Sequence, residues 1–151
     1  MANRLPTASE ALRLDNQLCF ALYSASLQMT KLYAPLLKQM GLTYPQYLVM
    51  LVLWESDGIT VSQLGERLFL DSGTLTPLLK RMESSGLLRR ERARDDERRV
   101  LIYLTAAGHD LAKPAAKIPA CVMDAAQCSL SEVKTLTQQM KALRQRLVLP
   151  S

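Results

Sequence analysis

Two groups of residues in this sequence carry side chains able to do chemistry. Between Lys80 and Arg99 stand eight Lys or Arg residues against five acids, and Arg94, Asp96, Arg98 and Arg99 fall in one charged stretch, Ala93 to Arg99. Guanidinium groups keep their charge and planar fork at any physiological pH, so a cluster of them suits the phosphates and groove edges of a nucleic acid. Asp96 is expected to brace Arg98 while the guanidinium projects into a minor groove, where narrow A·T tracts concentrate negative potential. Taken alone, a mixed-charge stretch reads equally as a solvated turn. The second group is the three cysteines, Cys19, Cys121 and Cys128. They have no paired spacing of the kind that builds a secreted disulfide scaffold. With a single histidine, His109, a Cys/His zinc site of ordinary spacing is not expected, and neither a metal nor a cofactor is implied. Cys19, in Leu18-Cys19-Phe20-Ala21-Leu22, reads on its context alone as a small buried hydrophobe.

A helix-turn-helix with a wing would position the basic cluster. Val61, Leu64 and Leu68 recur at three-and-four spacing and share one helical face, with Thr60 as N-cap and Gln63 completing a capping box. Asp71-Ser72-Gly73 breaks the pattern. A second helix then turns Leu75, Leu78, Leu79 and Met82 inward and leaves Thr74, Thr76, Lys80 and Arg81 outward. In such a pair the first helix packs and the second enters the major groove by its N-terminal end. Ser72, Thr74, Thr76, Lys80 and Arg81 are therefore candidate DNA-binding residues. Pro77 lies past the first turn, so it removes a backbone bond and is expected to kink or strain that helix. Gly86 ends it. Leu87–Arg92 and Val100–Leu104 then read as the two arms of a hairpin, or wing, with the charged stretch at its tip. Directly after a helix-turn-helix, that tip reads as a DNA contact rather than a solvated turn.

The remaining chain reads as support. At 151 residues and 48% hydrophobic content it holds one domain's worth of material, and a net charge of +5 with pI near 9.3 suits a polyanionic partner. Met1 to Ser9 lacks a basic start and an apolar run, and Tyr47 to Trp54 is far short of the ~20 residues of a membrane span. A cytoplasmic protein without a membrane partner is expected. Residues 1 to 8 read as a loose arm. Ser9 is expected to cap a long helix to about Tyr33, with Pro35 breaking or kinking it and Gly41 stopping a short continuation. Thr43, Pro45 and Gln46 open the next helix, which should end near Ser56-Asp57-Gly58. Thr105 is expected to cap a helix bent at Pro114 and Pro119 and stopping near Gln127-Cys128. Cys121 and Cys128, seven residues apart, could share one of its faces. Ser129 with Glu132 makes a third capping box before a helix whose Val133, Leu136, Met140, Leu143 and Leu147 form an apolar stripe. That stripe must be buried against its own chain or against a second copy.

The order helix-turn-helix, Gly86-Leu87-Leu88, Asp96-Glu97-Arg98 and Leu104-Thr105-Ala106-Ala107-Gly108 resembles the winged-helix repressors of the MarR family, over nearly the whole chain. Within that family Leu18–Tyr23, Leu42–Tyr47 and Asp71–Arg81 resemble the organic-hydroperoxide-sensing branch, OhrR, which also accounts for Pro77. The resemblance implies a mainly α fold with a small β-wing in a single domain, 1–151. Segments 9–40 and 105–148 would supply the helices of a homodimer, and 43–104 the winged helix-turn-helix. A two-fold dimer would set its recognition helices about 34 Å apart, one duplex turn, on a pseudo-palindromic operator in double-stranded DNA.

The resemblance also changes the reading of Cys19. By matching position it is the reactive thiol, Tyr33 and Tyr44 are the phenols that reach it from the partner subunit, and Tyr23 completes the cluster. Only a thiolate attacks peroxide oxygen, phenol hydrogen bonds favour that charged form, and apolar walls admit an alkyl chain. The resulting sulfenic acid is open to capture by a second thiol. Cys121 is preferred for that role because it falls within a helix expected along the dimer interface; Cys128, at a helix boundary, is the alternative. The chain then reads as a repressor, not an enzyme, that releases its operator when an organic hydroperoxide, the inducer, oxidises Cys19. Two rivals remain: a MarR-type repressor gated by a small phenolic ligand with the thiol idle, and a thiol peroxidase. Cys19→Ser separates the first, since a ligand-gated protein would still release DNA. Sustained peroxide consumption at substoichiometric protein would mark the second, which has no use for a helix-turn-helix and wing.

Overall fold

Side-chain caps open most of the helices, and at the N-terminus side-chain hydrogen bonding overrides the apolar periodicity. The computed structural model describes residues 4–148, so part of the arm read over residues 1 to 8 lies outside the described residues. Thr7, not Ser9, is the first cap: it forms a capping box with Glu10 at the head of α1 (Ala8–Ala11). The side-chain amides of Asn16 and Gln17 then take the carbonyls of Glu10, Ala11 and Arg13, which a continuing helix would have used. A 3-10 turn, Leu14–Asn16, intervenes, and the long helix α2 (Leu18–Lys38) starts only at Leu18. Pro35 lies inside α2 without ending it, and Gly41, at φ +68°, closes the continuation.

Thr43 and Gln46 form the box that opens α3 (Tyr44–Glu55), whose Tyr47, Val49, Met50, Val52 and Leu53 are buried. β1 (Ile59–Thr60) follows. This two-residue strand is too short to show alternation and was not expected from the sequence; it pairs antiparallel with the later strand Val100–Leu104, Ile59 opposite Ile102. Thr60 and Gln63 box the head of α4 (Val61–Leu68). α4 ends on Phe69 in the left-handed region, φ 58°, with the Leu70 amide donating to the Gly65 carbonyl. Glycine is usual at such a cap, and a bulky residue there costs on the order of 1 kcal/mol. Asp71 accepts from the Thr74 amide at 2.8 Å and opens α5 (Ser72–Ser84). The Asp71-Ser72-Gly73 break is thus a cap followed by the first helical turn, and α5 continues through Pro77. The wing is β2 (Leu88–Arg92) against β3 (Val100–Leu104), from Leu88 opposite Leu104 to Arg92 opposite Val100, in sheet order β1-β3-β2.

Downstream, three short helices replace the single bent one expected. Thr105 caps α6 (Ala106–Asp110), Pro114 falls in α7 (Ala112–Ala115), and Pro119 in the first turn of α8 (Ile118–Ala125). Gln127 takes φ 56° just past α8, so Cys128 leaves the helix and shares no helical face with Cys121. At Ser129 only half of the expected box forms: its hydroxyl accepts from the Glu132 amide, with no return bond from Glu132 among the described residues, and α9 (Leu130–Arg146) follows.

One apolar cluster runs from Leu37 through α3, α4, α5 and the sheet to Ala115, Ile118 and Val122. α9 stands outside it. It buries none of its residues, and Leu136 and Met140 of its stripe stay exposed. The first half of α2 is equally bare, with Leu18, Phe20, Tyr23 and Leu27 exposed. Packing of the stripe on its own chain is therefore not what this fold provides. Among the described residues, no helix is long and apolar enough to cross a membrane.

The joint between wing and α6 has no spare room. A Cβ on Gly108 would lie 2.2 Å from the Leu87 carbonyl oxygen, and that carbonyl also accepts the Thr105 amide at 3.1 Å. Gly108→Ala must push backbone apart and is expected to destabilise by about 3 kcal/mol, a loss of roughly 6–12 °C in Tm for a chain of this size. Gly73→Ala, where a Cβ meets only Asp71 Oδ1 at 3.4 Å, should leave Tm unchanged or raise it by helix propensity. Thermal melts followed by circular dichroism check the contrast; equal melting temperatures would mean the joint is not tight.

Candidate functional site

The side chains expected at a DNA surface come from α5 and the wing tip. Ser72, Thr74, Lys80 and Arg81 are exposed on α5, and Thr76 is half-buried. At the tip the Asp96 carboxylate accepts the Arg98 backbone amide at 3.0 Å, and the Asp96 carbonyl accepts the Arg99 amide at 3.0 Å. Asp96 therefore fixes the backbone under Arg98 rather than its guanidinium, which is left to project. Arg99 pairs with Asp95 at 3.2 Å, an exposed contact worth under ~1 kcal/mol. Among the described residues, Lys80, Arg81, Arg94 and Arg98 form no ion pair.

At the wing root Glu83 of α5 clamps Arg90 of β2. Its carboxylate accepts the Arg90 amide at 2.8 Å and the guanidinium at 3.1 and 3.3 Å. Those bonds, the backbone one foremost, hold the Glu83 carboxyl below the usual carboxylate range. The clamp ties the wing to α5. Between them lies a hollow of about 480 Å³ bordered by Ser62, Ser72, Thr76, Arg90, Arg98 and Arg99. It brings four of the sequence candidates together; Thr74, Lys80, Arg81, Arg94 and Asp96 are not on its rim. Ser62 and the Glu83–Arg90 clamp were missed by the sequence reading. A polar first-turn residue of the packing helix was the available signal for Ser62; the clamp had none.

Cys19 is exposed in the first turn of α2, not buried as its apolar neighbours suggest. Leu37, eighteen residues and five turns further on, projects from the same side of α2 and is 1% exposed. One helix face is thus core at one end and bare at the other. Tyr23, a turn beyond Cys19, is exposed too. Tyr33 and Tyr44 pack with ring centroids 4.9 Å apart. Tyr47 joins them at 5.8 and 6.3 Å and meets the Trp54 ring edge-on at 6.5 Å. The sequence did not single out Tyr47, because a phenol amid Leu, Val and Met reads as one more core position. Burial pushes the Tyr33, Tyr44 and Tyr47 phenols above their usual range, with Tyr44 and Tyr47 adding to the effect at Tyr33. All three are protonated hydrogen-bond donors at neutral pH.

Thiol and phenols do not meet within one chain. Tyr33 is fourteen residues beyond Cys19 on the same helix, or about 21 Å along its axis. Cys121 opens onto a groove of about 380 Å³ bordered by Leu36, Met40, Leu111 and Ile118. Leu36 is itself about 25 Å along α2 from Cys19. Cys128 is half-buried in the turn after α8, its thiol donating to the Ala126 carbonyl at 3.5 Å.

Comparison with known proteins places this geometry. The family described as transcriptional regulator SarA/Rot matches residues 31–113. The organic hydroperoxide resistance transcriptional regulator of Bacillus subtilis (strain 168) is 48% identical over 136 residues, which cover 90% of this chain and 92% of that protein. The chain belongs to the MarR/SarA family of winged-helix transcriptional regulators. Another similar MarR/SarA protein, AbfR of Staphylococcus epidermidis, has been solved in several states. Its overoxidized form bound to DNA matches with a TM-score of 0.75 at 37% identity, covering 94% of this chain and 100% of that one. Its disulfide form matches with a TM-score of only 0.58 at 42% identity, covering 89% and 95%. The conformation described here is therefore nearer to the overoxidized form of that relative than to its disulfide form. Like its MarR/SarA relatives, the chain is a regulator and not an enzyme.

Proposed function

We propose that this chain is a cytoplasmic, homodimeric repressor that holds its operator while Cys19 is reduced and releases it once an organic hydroperoxide oxidises that thiol. The observation that carries the reading is the two-ended face of α2. A thiol stands bare at one end and a half-buried phenol pair lies about 21 Å away near the other, so an antiparallel second copy of α2 would set each Cys19 against its partner's Tyr33 and Tyr44. The same pairing would cover Leu18, Phe20, Tyr23 and Leu27 and the stripe of α9. The likeness to the Bacillus subtilis regulator, which is named for organic hydroperoxide resistance, supports the choice of oxidant.

The chemistry follows from that pairing. The Cys19 thiolate attacks a peroxide oxygen; an S–O bond forms, the O–O bond breaks, and the alkoxide leaves as an alcohol after taking a proton. The partner's protonated phenols hydrogen-bond the thiolate before attack. Cys121, in its groove beside Leu36, is at the end of α2 that the partner's Cys19 approaches, and its sulfur displaces water from the sulfenic acid to leave a disulfide between chains. Cys128 remains the alternative. On DNA, Ser72, Thr74 and Thr76 enter the major groove, Lys80, Arg81, Arg94 and Arg99 meet phosphates, and Arg98 reaches the minor groove from a tip fixed by Asp96. The reading is tested by duplex binding with and without cumene hydroperoxide beside a non-reducing gel. Release with a new cross-linked dimer is expected, and continued operator binding by the cross-linked dimer would sink it.

The phenols give a separable expectation. Tyr33→Phe and Tyr44→Phe should bind operator like wild type while reduced, yet react with hydroperoxide roughly tenfold more slowly, each having lost one hydrogen bond to a charged sulfur. Stopped-flow thiol oxidation measures this; wild-type rates in both variants would remove the phenols from the site.

A further inference from the structure

Phe69 is an outlier that neither packing nor turn chemistry calls for. It closes α4 at φ 58°, where glycine is the usual residue, and leaves 63% of its surface exposed. Its ring is covered from outside by Arg144, whose guanidinium carbon lies 4.3 Å from the ring centroid. Arg144 belongs to the last turn of α9, the helix that buries nothing within its own chain. Phe69 stands two residues before Asp71, the cap of α5. The stack thus joins the far end of an unpartnered helix to the turn from which the reading helix starts.

We propose that the Arg144–Phe69 stack is the positioning contact that sets the angle of α5 against α9, and with it the spacing of the two reading helices in the dimer. This rests on the reading of the chain as a dimeric operator-binding repressor. In that dimer α9 is part of the frame, and the helix-turn-helix hangs from it at a turn where a small rotation is carried along the whole of α5. A guanidinium suits the task because it is planar, always charged and attracted to the ring face. An unstrained glycine would close α4 more cheaply but would offer no face to hold. The contact therefore bears on which half-site separations the dimer accepts more than on the fold of either chain.

The test compares duplexes rather than activity alone. Wild-type protein selects a preferred inverted repeat from a random duplex pool, and binding is then measured on that repeat and on versions with one base pair added to or removed from the spacer. One base pair turns a half-site by about 34° relative to its mate, so wild type should lose about tenfold or more in affinity on either altered repeat. Arg144→Ala and Phe69→Gly should bind the selected repeat about two- to fivefold more weakly, as expected for an exposed cation–π contact, yet lose much less than wild type when the spacer changes. Phe69→Gly accepts the left-handed cap and so removes the ring without disturbing the turn. Phe69→Tyr, which keeps a ring face, should discriminate like wild type. Arg146→Ala removes an equal charge from the same end of α9 and should also discriminate like wild type. Wild-type spacing discrimination in both Arg144→Ala and Phe69→Gly overturns the inference, and so does relaxed discrimination in Arg146→Ala. If wild type selects no duplex at all, the operator-binding reading itself falls, and this inference with it.

Discussion

Cys19→Ser should bind operator as tightly as the unaltered protein and remain bound at hydroperoxide concentrations at least ~100-fold above those that release wild type, because a hydroxyl of ordinary acidity does not attack peroxide oxygen where a thiolate does. Fluorescence anisotropy against rising cumene hydroperoxide measures it. Induction of the serine variant at the wild-type concentration would return the field to the ligand-gated repressor with an idle thiol. The downstream thiols sharpen the outcome. Cys121→Ser should still be sulfenylated at Cys19 yet stay on the operator unless another thiol is supplied, whereas Cys128→Ser should respond normally. The structure gives a reason for that asymmetry: Cys121 opens onto the groove at the far end of α2, while Cys128 lies past the left-handed Gln127. The opposite pattern would name Cys128 as the partner. If both variants release normally without added thiol, a disulfide does not drive release.

Operator affinity should fall by about 10³–10⁵ between 50 and 200 mM salt, the range for a protein that neutralises six to ten phosphates. The candidates are Lys80, Arg81, Arg94, Arg98 and Arg99 of each subunit. Arg99 is partly neutralised by Asp95, so its contribution should be the smallest of the three at the tip. Arg98→Ala should cost more affinity than Lys38→Ala, because Lys38 ends α2 outside the reading head. A nearly flat salt profile would remove the electrostatic account, and equal losses in the two variants would mean that the wing does not engage.

The mainly α fold with a small wing was legible in the sequence because its signals are local. Thr43, Thr60 and Thr105 each cap the helix expected of them, since a hydroxyl three residues from a free amide needs no tertiary help. Signals that depend on competition were misread. An apolar Leu12 upstream of Leu18 and Leu22 invited one continuous helix from Ser9, but Asn16 and Gln17 consume the carbonyls of Glu10, Ala11 and Arg13, so α2 starts late. Two prolines within seven residues divide a helix instead of bending it, and the left-handed Gln127 separates two cysteines that spacing alone had put on one face. At the candidate site the types of residue were readable and their company was not. Tyr47 looked like core, and Cys19 looked buried, because a sequence does not say where a helix leaves its own domain. The clamp of Glu83 on Arg90 joins separate elements and has no local signature.

The two-ended face of α2 has a genetic consequence on the proposed reading. Each sensor is then assembled from two copies of the gene product, one giving Cys19 and the other the phenols. A dimer mixed from a Cys19→Ser chain and a Tyr44→Phe chain holds one sensor with both defects and one with neither. Two alleles that are each deficient alone would thus complement when expressed together, and dominance in a cell carrying two versions of this gene would be decided by how their chains assort.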